Sequence, residues 1–131
     1  MTPAAALYQF FASAVTGWSA YPETAVPSKA AGDAQDAAFP YLTYSNATSA
    51  FNEGEVGLSV NLWARTDSEK TMNDAASALS AAIGRGGVTL ACDGGYIWLK
   101  RGTPFSQAMP DEDTTIKRRY INIAAEYLTN D

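Results

Sequence analysis

A ten-residue stretch near the middle of the chain alternates strictly between two kinds of side chain. In Val56–Arg65, the even-numbered positions are Val, Leu, Val, Leu and Ala, and the odd-numbered positions are Gly, Ser, Asn, Trp and Arg. A period of two over this length is typical of a β-strand with one buried face. The pattern predicts a strand whose even face packs on a core and whose odd face carries Trp63 and Arg65.

Directly after this strand the pattern changes to the period of a helix. Apolar residues now recur at helical spacing, at Met72, Ala75, Ala76, Leu79, Ala82 and Ile83. Thr66 and Glu69 have the spacing of a capping box, in which each side chain accepts from the other residue's backbone amide. Gly84 suits the residue that follows a helix. We therefore predict a helix near residues 67–83.

Another helix is predicted near residues 3–17. Thr2 and Pro3 are a favourable N-cap and first-turn pair, and an apolar stripe runs from Leu7 to Trp18. The segment carries no charged residue, which leaves two interpretations open. Either the helix is buried on most sides within one subunit, or it packs against a neighbouring subunit.

Four more strands are predicted from shorter alternating runs near residues 41–44, 88–92, 96–100 and 115–128. Asp93-Gly94-Gly95 predicts a tight hairpin between the second and third of these.

Three connections complete the predicted order. The longest, Ser19–Pro40 and Arg101–Asp113, are rich in proline and glycine, and Asn46–Gly54 links two strands. The element order is then α-β-β-α-β-β-β. The predicted fold class is α+β, a single domain over residues 1–131 with a mostly antiparallel sheet packed with two helices.

Ten apolar side chains are expected in the core of this domain. They are Leu7, Phe10, Phe11, Val60, Leu62, Leu79, Ile83, Leu90, Ile121 and Ile123.

Composition narrows the possible functions. The 131 residues include no histidine and one cysteine, and the net charge is −5. Without histidine, Ser-His-Asp and Cys-His catalysis and most transition-metal sites are excluded, so we expect no enzyme and no cofactor. The negative charge disfavours blanket binding of nucleic acid phosphates. No apolar run approaches the roughly 18 residues of a membrane span, and the first basic residue, Lys29, comes too late for a signal peptide.

Three further motifs have a simple and a functional interpretation. Cys92 is interpreted as a small buried apolar side chain, because no histidine could activate its thiol. Asp111-Glu112-Asp113 is either a solvated acidic turn or a site for a hard cation. Lys117-Arg118-Arg119, with Lys100 and Arg101 nearby in a hairpin, forms either a solvated strand end or a small basic patch.

Five residues are candidates for contact surfaces. Trp63 lies on the polar face of the central strand, where it either meets the first helix or forms an interface together with Arg65. Phe105 and Met109, next to Arg101, either fold back on the core or form an exposed contact surface.

Several segments resemble a family of small structural proteins from tailed bacteriophages and prophages. They include Phe39-Pro40-Tyr41-Leu42-Thr43-Tyr44, Leu62-Trp63-Ala64-Arg65 before a capped helix, and Arg118-Arg119-Tyr120-Ile121-Asn122-Ile123. The most specific segment is Gly94-Gly95-Tyr96-Ile97-Trp98-Leu99-Lys100-Arg101-Gly102-Thr103-Pro104-Phe105. With Ala4-Ala5-Ala6-Leu7-Tyr8-Gln9-Phe10, they are similar to the tail terminator, also called the tail completion or head–tail joining protein, of long-tailed phages.

The resemblance implies a structural protein without catalytic residues. Members form a homo-oligomeric ring, usually a hexamer, at the head-proximal end of the tail tube. The ring stops tube growth and offers a surface to the head–tail connector protein. Its implied partners are therefore further copies of itself, the major tail tube protein and the connector. Its implied location is the virion, after assembly in the host cytoplasm, with genomic DNA passing through the lumen without specific binding.

Two other functions remain open from the sequence. One is another neck or tail-tube component of the same kind of virion. The other, from a different class, is a small-molecule-binding α+β domain. The absence of a glycine-rich phosphate loop and of a nucleophile–base pair counts against that class.

Overall fold

The chain folds into a curled six-stranded sheet with two α-helices packed on one of its faces. The computed structural model describes residues 1–51 and 53–130. In chain order the elements are α1 (Pro3–Ala14), β1 (Ser19–Pro22), a short 3-10 turn (Lys29–Ala31), β2 (Tyr41–Tyr44), β3 (Glu55–Arg65), α2 (Glu69–Ile83), β4 (Val88–Cys92), β5 (Gly95–Met109) and β6 (Ile116–Thr129). The predicted fold class is confirmed. The predicted link Asn46–Gly54 and the domain 1–131 include Asn52 and Asp131, which lie outside the described residues.

Hydrogen bonding arranges the strands in the order β1-β2-β3-β6-β5-β4. The central pair, β3 and β6, is antiparallel from Glu55 opposite Glu126 to Arg65 opposite Ile116. All other pairs are antiparallel except β1 with β2. β3 and β6, which form the longest pairing without a register shift, are therefore the middle of the sheet.

The alternation of β3 sorts its side chains as predicted. Leu58, Val60, Leu62 and Ala64 are buried, whereas Trp63 lies half-exposed on the opposite face. On α2 the buried side chains are Met72, Ala75, Ala76, Leu79 and Ile83. Small alanines let α2 lie close to β3, β5 and β6.

Eight of the ten side chains expected in the core are buried. The exceptions are Phe10 and Leu90, which are half-buried. Both line a groove between α1 and β4, and this groove leaves one side of each side chain open to solvent.

α1 lies beside both edge strands of the curled sheet, β1 and β4. The Ala5 amide donates to Thr2 Oγ1 over 3.1 Å, which confirms the predicted N-cap. The helix ends at Ala14 instead of near residue 17. At its start, the Asp93 amide donates to the Met1 carbonyl over 2.7 Å, and the Met1 ammonium contacts Asp93 Oδ1 at 3.0 Å. The beginning of the chain is thereby tied to the turn after β4.

The interpretation of Ser19–Pro40 as one long connection is corrected at its start. Ser19–Pro22 forms β1, which pairs in parallel with β2 so that Ser19 lies opposite Tyr41. A four-residue strand is too short to show a clear alternation. Its pairing depends on β2, about 20 positions away in the chain, as the register shows.

The prediction of a loop at Arg101–Asp113 is wrong for most of that segment. β5 continues to Met109, and its later part pairs with β6 from Ser106 opposite Ile121 to Met109 opposite Arg118. A bulge between Arg101 and Ser106 interrupts the pairing. Gly102 lies so close to β6 that an added Cβ would be 2.8 Å from Asn122 Cβ. Asn122 Nδ2 in turn donates to the Pro104 carbonyl over 2.8 Å.

The predicted capping box of α2 is also wrong. The helix begins at Glu69, and its N-cap is Ser68, whose side chain makes no capping hydrogen bond. Thr66 Oγ1 accepts from the Ser68 amide over 3.0 Å. The Glu69 side chain instead forms ion pairs with Lys117 and Arg119 of β6. The local spacing of residues does not predict these pairs, because β6 lies far along the chain.

Candidate assembly surfaces

The structure divides the five candidate residues between the two faces of the sheet. Trp63 and Arg65 lie on the face turned away from α1 and α2, and Met109 shares this face because it lies opposite Arg118. Arg101 and Phe105 lie on the side of α2.

Around Trp63 the uncovered face carries an aromatic–arginine cluster, which consists of Phe39, Tyr41, Trp63, Arg65 and Arg118. The ring centroids are 5.2 Å apart for Phe39 and Tyr41, and 6.3 Å apart for Tyr41 and Trp63. The Arg65 guanidinium lies 4.9 Å from the Phe39 ring centre, and the Arg118 guanidinium lies 4.9 Å from that of Trp63. The cluster is a continuous row in which an arginine covers the ring at each end.

Strand register builds this row. Trp63 lies directly between Tyr41 of β2 and Arg118 of β6. Arg118 Nε donates to Asn61 Oδ1 over 2.9 Å, which holds the guanidinium above the indole. Contacts of this kind at a surface are worth roughly 0.5–1 kcal/mol each. The three strands that carry the cluster, β2, β3 and β6, together with Phe39 just before β2, therefore present it in one fixed arrangement.

At the same end of the sheet lies an acidic loop, Asp111–Asp113. Thr115 donates to Asp113 Oδ1 from its hydroxyl over 2.6 Å and from its amide over 2.9 Å, and these hydrogen bonds lower the pKa of Asp113. Arg65 approaches Asp113 within 3.5 Å and donates to Thr115 Oγ1 over 2.6 Å. Burial, and then the charge of Asp111, raise the pKa of Tyr41. The acidic loop is thus joined to the aromatic–arginine cluster.

The cation-site interpretation of this loop finds no support in the geometry. Within residues 1–51 and 53–130, no group of three His, Cys, Asp or Glu side chains is arranged to hold a metal ion.

On the other side of the sheet, Arg85 and Arg101 line a cleft between the end of α2 and the bulge of β5. The other residues that line it are Ser80, Gly86, Lys100, Gly102, Thr103 and Phe105. Arg101 Nη1 donates to Ser80 Oγ over 2.9 Å, so this arginine is held against the helix. Phe105 is half-buried: one side packs against the core, and its remaining surface lines this cleft. We call this feature the Arg85–Arg101 cleft.

Neither interpretation of Lys117–Arg119, a solvated strand end or a small basic patch, describes Lys117 and Arg119, because both pair with Glu69 and Arg119 is buried. Glu69 forms two salt bridges, from Oε1 to Lys117 Nζ and from Oε2 to Arg119 Nη2, and both distances are 3.1 Å. The hydrogen bond from Lys117 is the largest cause that lowers the pKa of Glu69. The Arg119 side chain is only 10% exposed and also reaches Asn73 Oδ1 at 3.0 Å. These side chains attach α2 to β6, a role that the sequence analysis missed.

Lys100, also assigned to that patch, is likewise paired with acids. Its ammonium lies 2.5 Å from Glu55 Oε1 and 3.6 Å from Glu126 Oε2, above the Trp98 ring.

Cys92 is half-buried on β4, and burial is the main cause that raises the pKa of its thiol. A raised pKa lowers the fraction of reactive thiolate at neutral pH. This agrees with the interpretation of Cys92 as an apolar packing side chain.

Comparisons of the chain with protein-family models, with curated proteins and with solved structures find no match. In the part of the chain that the structure describes, neither helix has the length and apolar character needed to cross a membrane.

Proposed function

We propose that this protein is a structural component of a long-tailed phage or prophage virion. Copies of it form a ring, of six subunits in the simplest case, at the head-proximal end of the tail tube. The ring ends tube growth and joins the tail to the head–tail connector protein. It has no catalytic role and uses no cofactor.

The observation that carries this proposal is the aromatic–arginine cluster on the uncovered face of the sheet. Tyrosine, tryptophan and arginine are enriched where proteins bind one another, and they supply most of the binding energy there. In this chain Tyr41, Trp63 and Arg118 are half-exposed, Arg65 is exposed, and register and hydrogen bonds already hold these side chains in place. Side chains ordered in advance lose little conformational entropy on binding. The cluster therefore has the composition and the rigidity of an interface.

The arrangement of the faces also supports a ring. Neighbours in a ring meet head to tail, so each subunit needs two unlike surfaces. One surface here is the aromatic–arginine cluster with the adjacent acidic loop. The other is the Arg85–Arg101 cleft, on the side of α2. Trp63, Arg65 and Met109 belong to the first surface, and Arg101 and Phe105 belong to the second.

Charge is compatible with the passage of DNA through such a ring. Six copies at −5 each would carry −30. An acidic lumen repels the phosphate backbone, so that DNA slides through it instead of adhering.

Replacing Trp63 and Arg65 together by alanine tests the proposal. The double variant should stay folded, because both side chains lie outside the core, but it should form rings poorly. Light scattering would give the oligomeric mass, and electron microscopy with the tube protein would show whether tubes are capped.

A matched control replaces an exposed aromatic and an exposed cation elsewhere, Tyr96→Ala with Lys70→Ala. The control should assemble like the original chain. Failure of the unaltered protein to form rings, either alone or with tube protein, would refute the proposed function.

A further inference from the structure

We propose that the Arg85–Arg101 cleft receives the acidic loop, Asp111–Asp113, of a second copy of this chain. This inference rests on the proposed function, because it names the two surfaces that meet between neighbours in the ring.

The first argument is the distribution of ion pairs. Five of the nine Lys and Arg side chains lie within 4.0 Å of a carboxylate, namely Arg65, Lys70, Lys100, Lys117 and Arg119. Four have no such partner within residues 1–51 and 53–130: Lys29, Arg118, which lies over the Trp63 ring, and the two arginines of the cleft, Arg85 and Arg101. Although the net charge of the protein is −5, this cleft holds two guanidinium groups that form no ion pair within the described residues. The cleft is therefore complementary to an acidic ligand.

The second argument is that the backbone holds the cleft open. Arg85 lies in the turn between α2 and β4, and Gly87 closes that turn against β5. Gly87 has φ +87°, and a Cβ there would lie 2.5 Å from the Leu99 carbonyl oxygen. Opposite, the bulge of β5 is fixed by the contact between Gly102 and Asn122. The two arginines are thus presented from two anchored segments, with Phe105 as an apolar wall.

The third argument is that the acidic loop offers an unpaired carboxylate. Asp113 is occupied by Thr115 and Arg65, and one oxygen of Asp111 accepts from the Asp113 amide over 2.9 Å. Glu112 is exposed and makes neither a hydrogen bond nor an ion pair within the described residues. The internal hydrogen bonds therefore shape the loop and leave Glu112 free to bind. A carboxylate and a guanidinium form two parallel hydrogen bonds, which suits an Arg-lined cleft.

The fourth argument is that a subunit cannot fill its own cleft. Between Arg101 and the acidic loop runs the later part of β5, which ends at Met109. A strand advances about 3.3 Å per residue, so this segment keeps the two surfaces roughly 20 Å apart even with its bulge. Contact then needs a neighbour, and a loop-to-cleft contact is head to tail, as ring closure demands.

Nucleic acid is a poorer ligand for the same cleft. Phosphate binding grows with the number of cations that neutralise the backbone, and here only two arginines are unpaired. The surrounding negative charge opposes the approach of a duplex.

Two charge-reversed chains test the inference. The cleft variant carries Arg85→Glu and Arg101→Glu, and the loop variant carries Asp111→Arg and Glu112→Arg. Each alone should assemble with at least a roughly tenfold higher midpoint concentration than the original chain, because like charges now meet. An equimolar mixture should restore ring formation, since each variant offers the surface that the other lacks. Analytical ultracentrifugation measures the assembly, and circular dichroism confirms that each variant is folded.

A control matched to the cleft variant replaces two cations outside the cleft, Lys29→Glu and Lys70→Glu, and so changes the net charge by the same amount as that variant does. It should assemble like the original chain. If original and cleft-variant chains form rings equally well, the inference fails and the proposed function stands. If the mixture of the two variants does not restore rings, the inference fails as well.

Two other results are also decisive. If the unaltered chain forms no ring alone or with tube protein, the proposed function fails together with the inference. If the unaltered chain retains duplex DNA and the cleft variant does not, the cleft binds nucleic acid and the inference is overturned.

Discussion

Arg118 affects the solvent exposure and the orientation of the neighbouring Trp63 side chain. Its guanidinium covers the Trp63 ring at 4.9 Å and is held by Asn61. Without that cover, the Trp63 ring would still contact Tyr41 but would expose its other side to solvent. With it, the ring is partly desolvated and keeps one orientation, which is the state that a binding surface requires.

Cys92 gives a prediction at the residue scale. Because burial raises the pKa of its thiol, the native protein should hold less thiolate than the unfolded chain at the same pH. Alkylation with iodoacetamide at pH 8 should be several-fold slower in buffer than in urea, and the native rate should rise as the pH is increased. Mass spectrometry over time measures both rates. A native rate equal to or faster than that in urea would contradict this assignment.

At the scale of elements, periodicity predicted what depends on local sequence. β3 and α2 have long regular patterns, and their buried faces agree with the structure. The later part of β5 has the sequence of a loop, because Gly102 and Pro104 are residue types typical of turns. The backbone contact with Asn122 that makes this glycine part of a strand comes from β6, far along the chain.

The partners of the candidate site were missed for the same reason. Trp63 and Arg65 stand out in the alternation of β3, but nothing near them in sequence indicates which residues lie beside them. Tyr41 and Arg118 become their neighbours through strand order and register. Arg85 lies between α2 and β4 and shares a cleft with Arg101 of β5, and no spacing in the sequence indicates that these two residues meet.

The bulge of β5 gives a prediction at the element scale. Gly102→Ala should destabilise the fold by about 1–3 kcal/mol, because the new methyl group would press on Asn122. The matched control is Gly57→Ala on β3, where an added Cβ would have no heavy atom within 4 Å. That change should stay within about 0.5 kcal/mol. Urea denaturation gives the free energy of unfolding of both variants. Equal values would contradict the prediction, because they would mean that the bulge accommodates the methyl group without loss of stability.

At the scale of the whole molecule, most of the positive charge is used internally. Lys117 and Arg119 share Glu69, and Lys100 lies between Glu55 and Glu126. These pairs link α2 to β6 and the central strands to one another. The surface open to an external ligand therefore has a net negative charge. Its arginines lie in two separate places, the aromatic–arginine cluster and the Arg85–Arg101 cleft.

We therefore predict that the protein does not retain duplex DNA at physiological salt. Electrophoretic mobility shift with a duplex of random sequence should show free DNA even at micromolar protein. Tight binding that strengthens at low salt and disappears on neutralising Lys117, Arg118 and Arg119 would instead indicate a direct contact with DNA.

The position of α1 beside both edge strands has a consequence for how the chain folds. Met1, just before this helix, contacts Asp93 in the turn after β4, 92 positions away, and the helix itself packs against β4. Such distant contacts raise the contact order and slow folding, because closing a long loop costs entropy before packing repays it. During synthesis α1 is made before β4, so the side of the helix that faces β4 stays unpacked until that strand has left the ribosome.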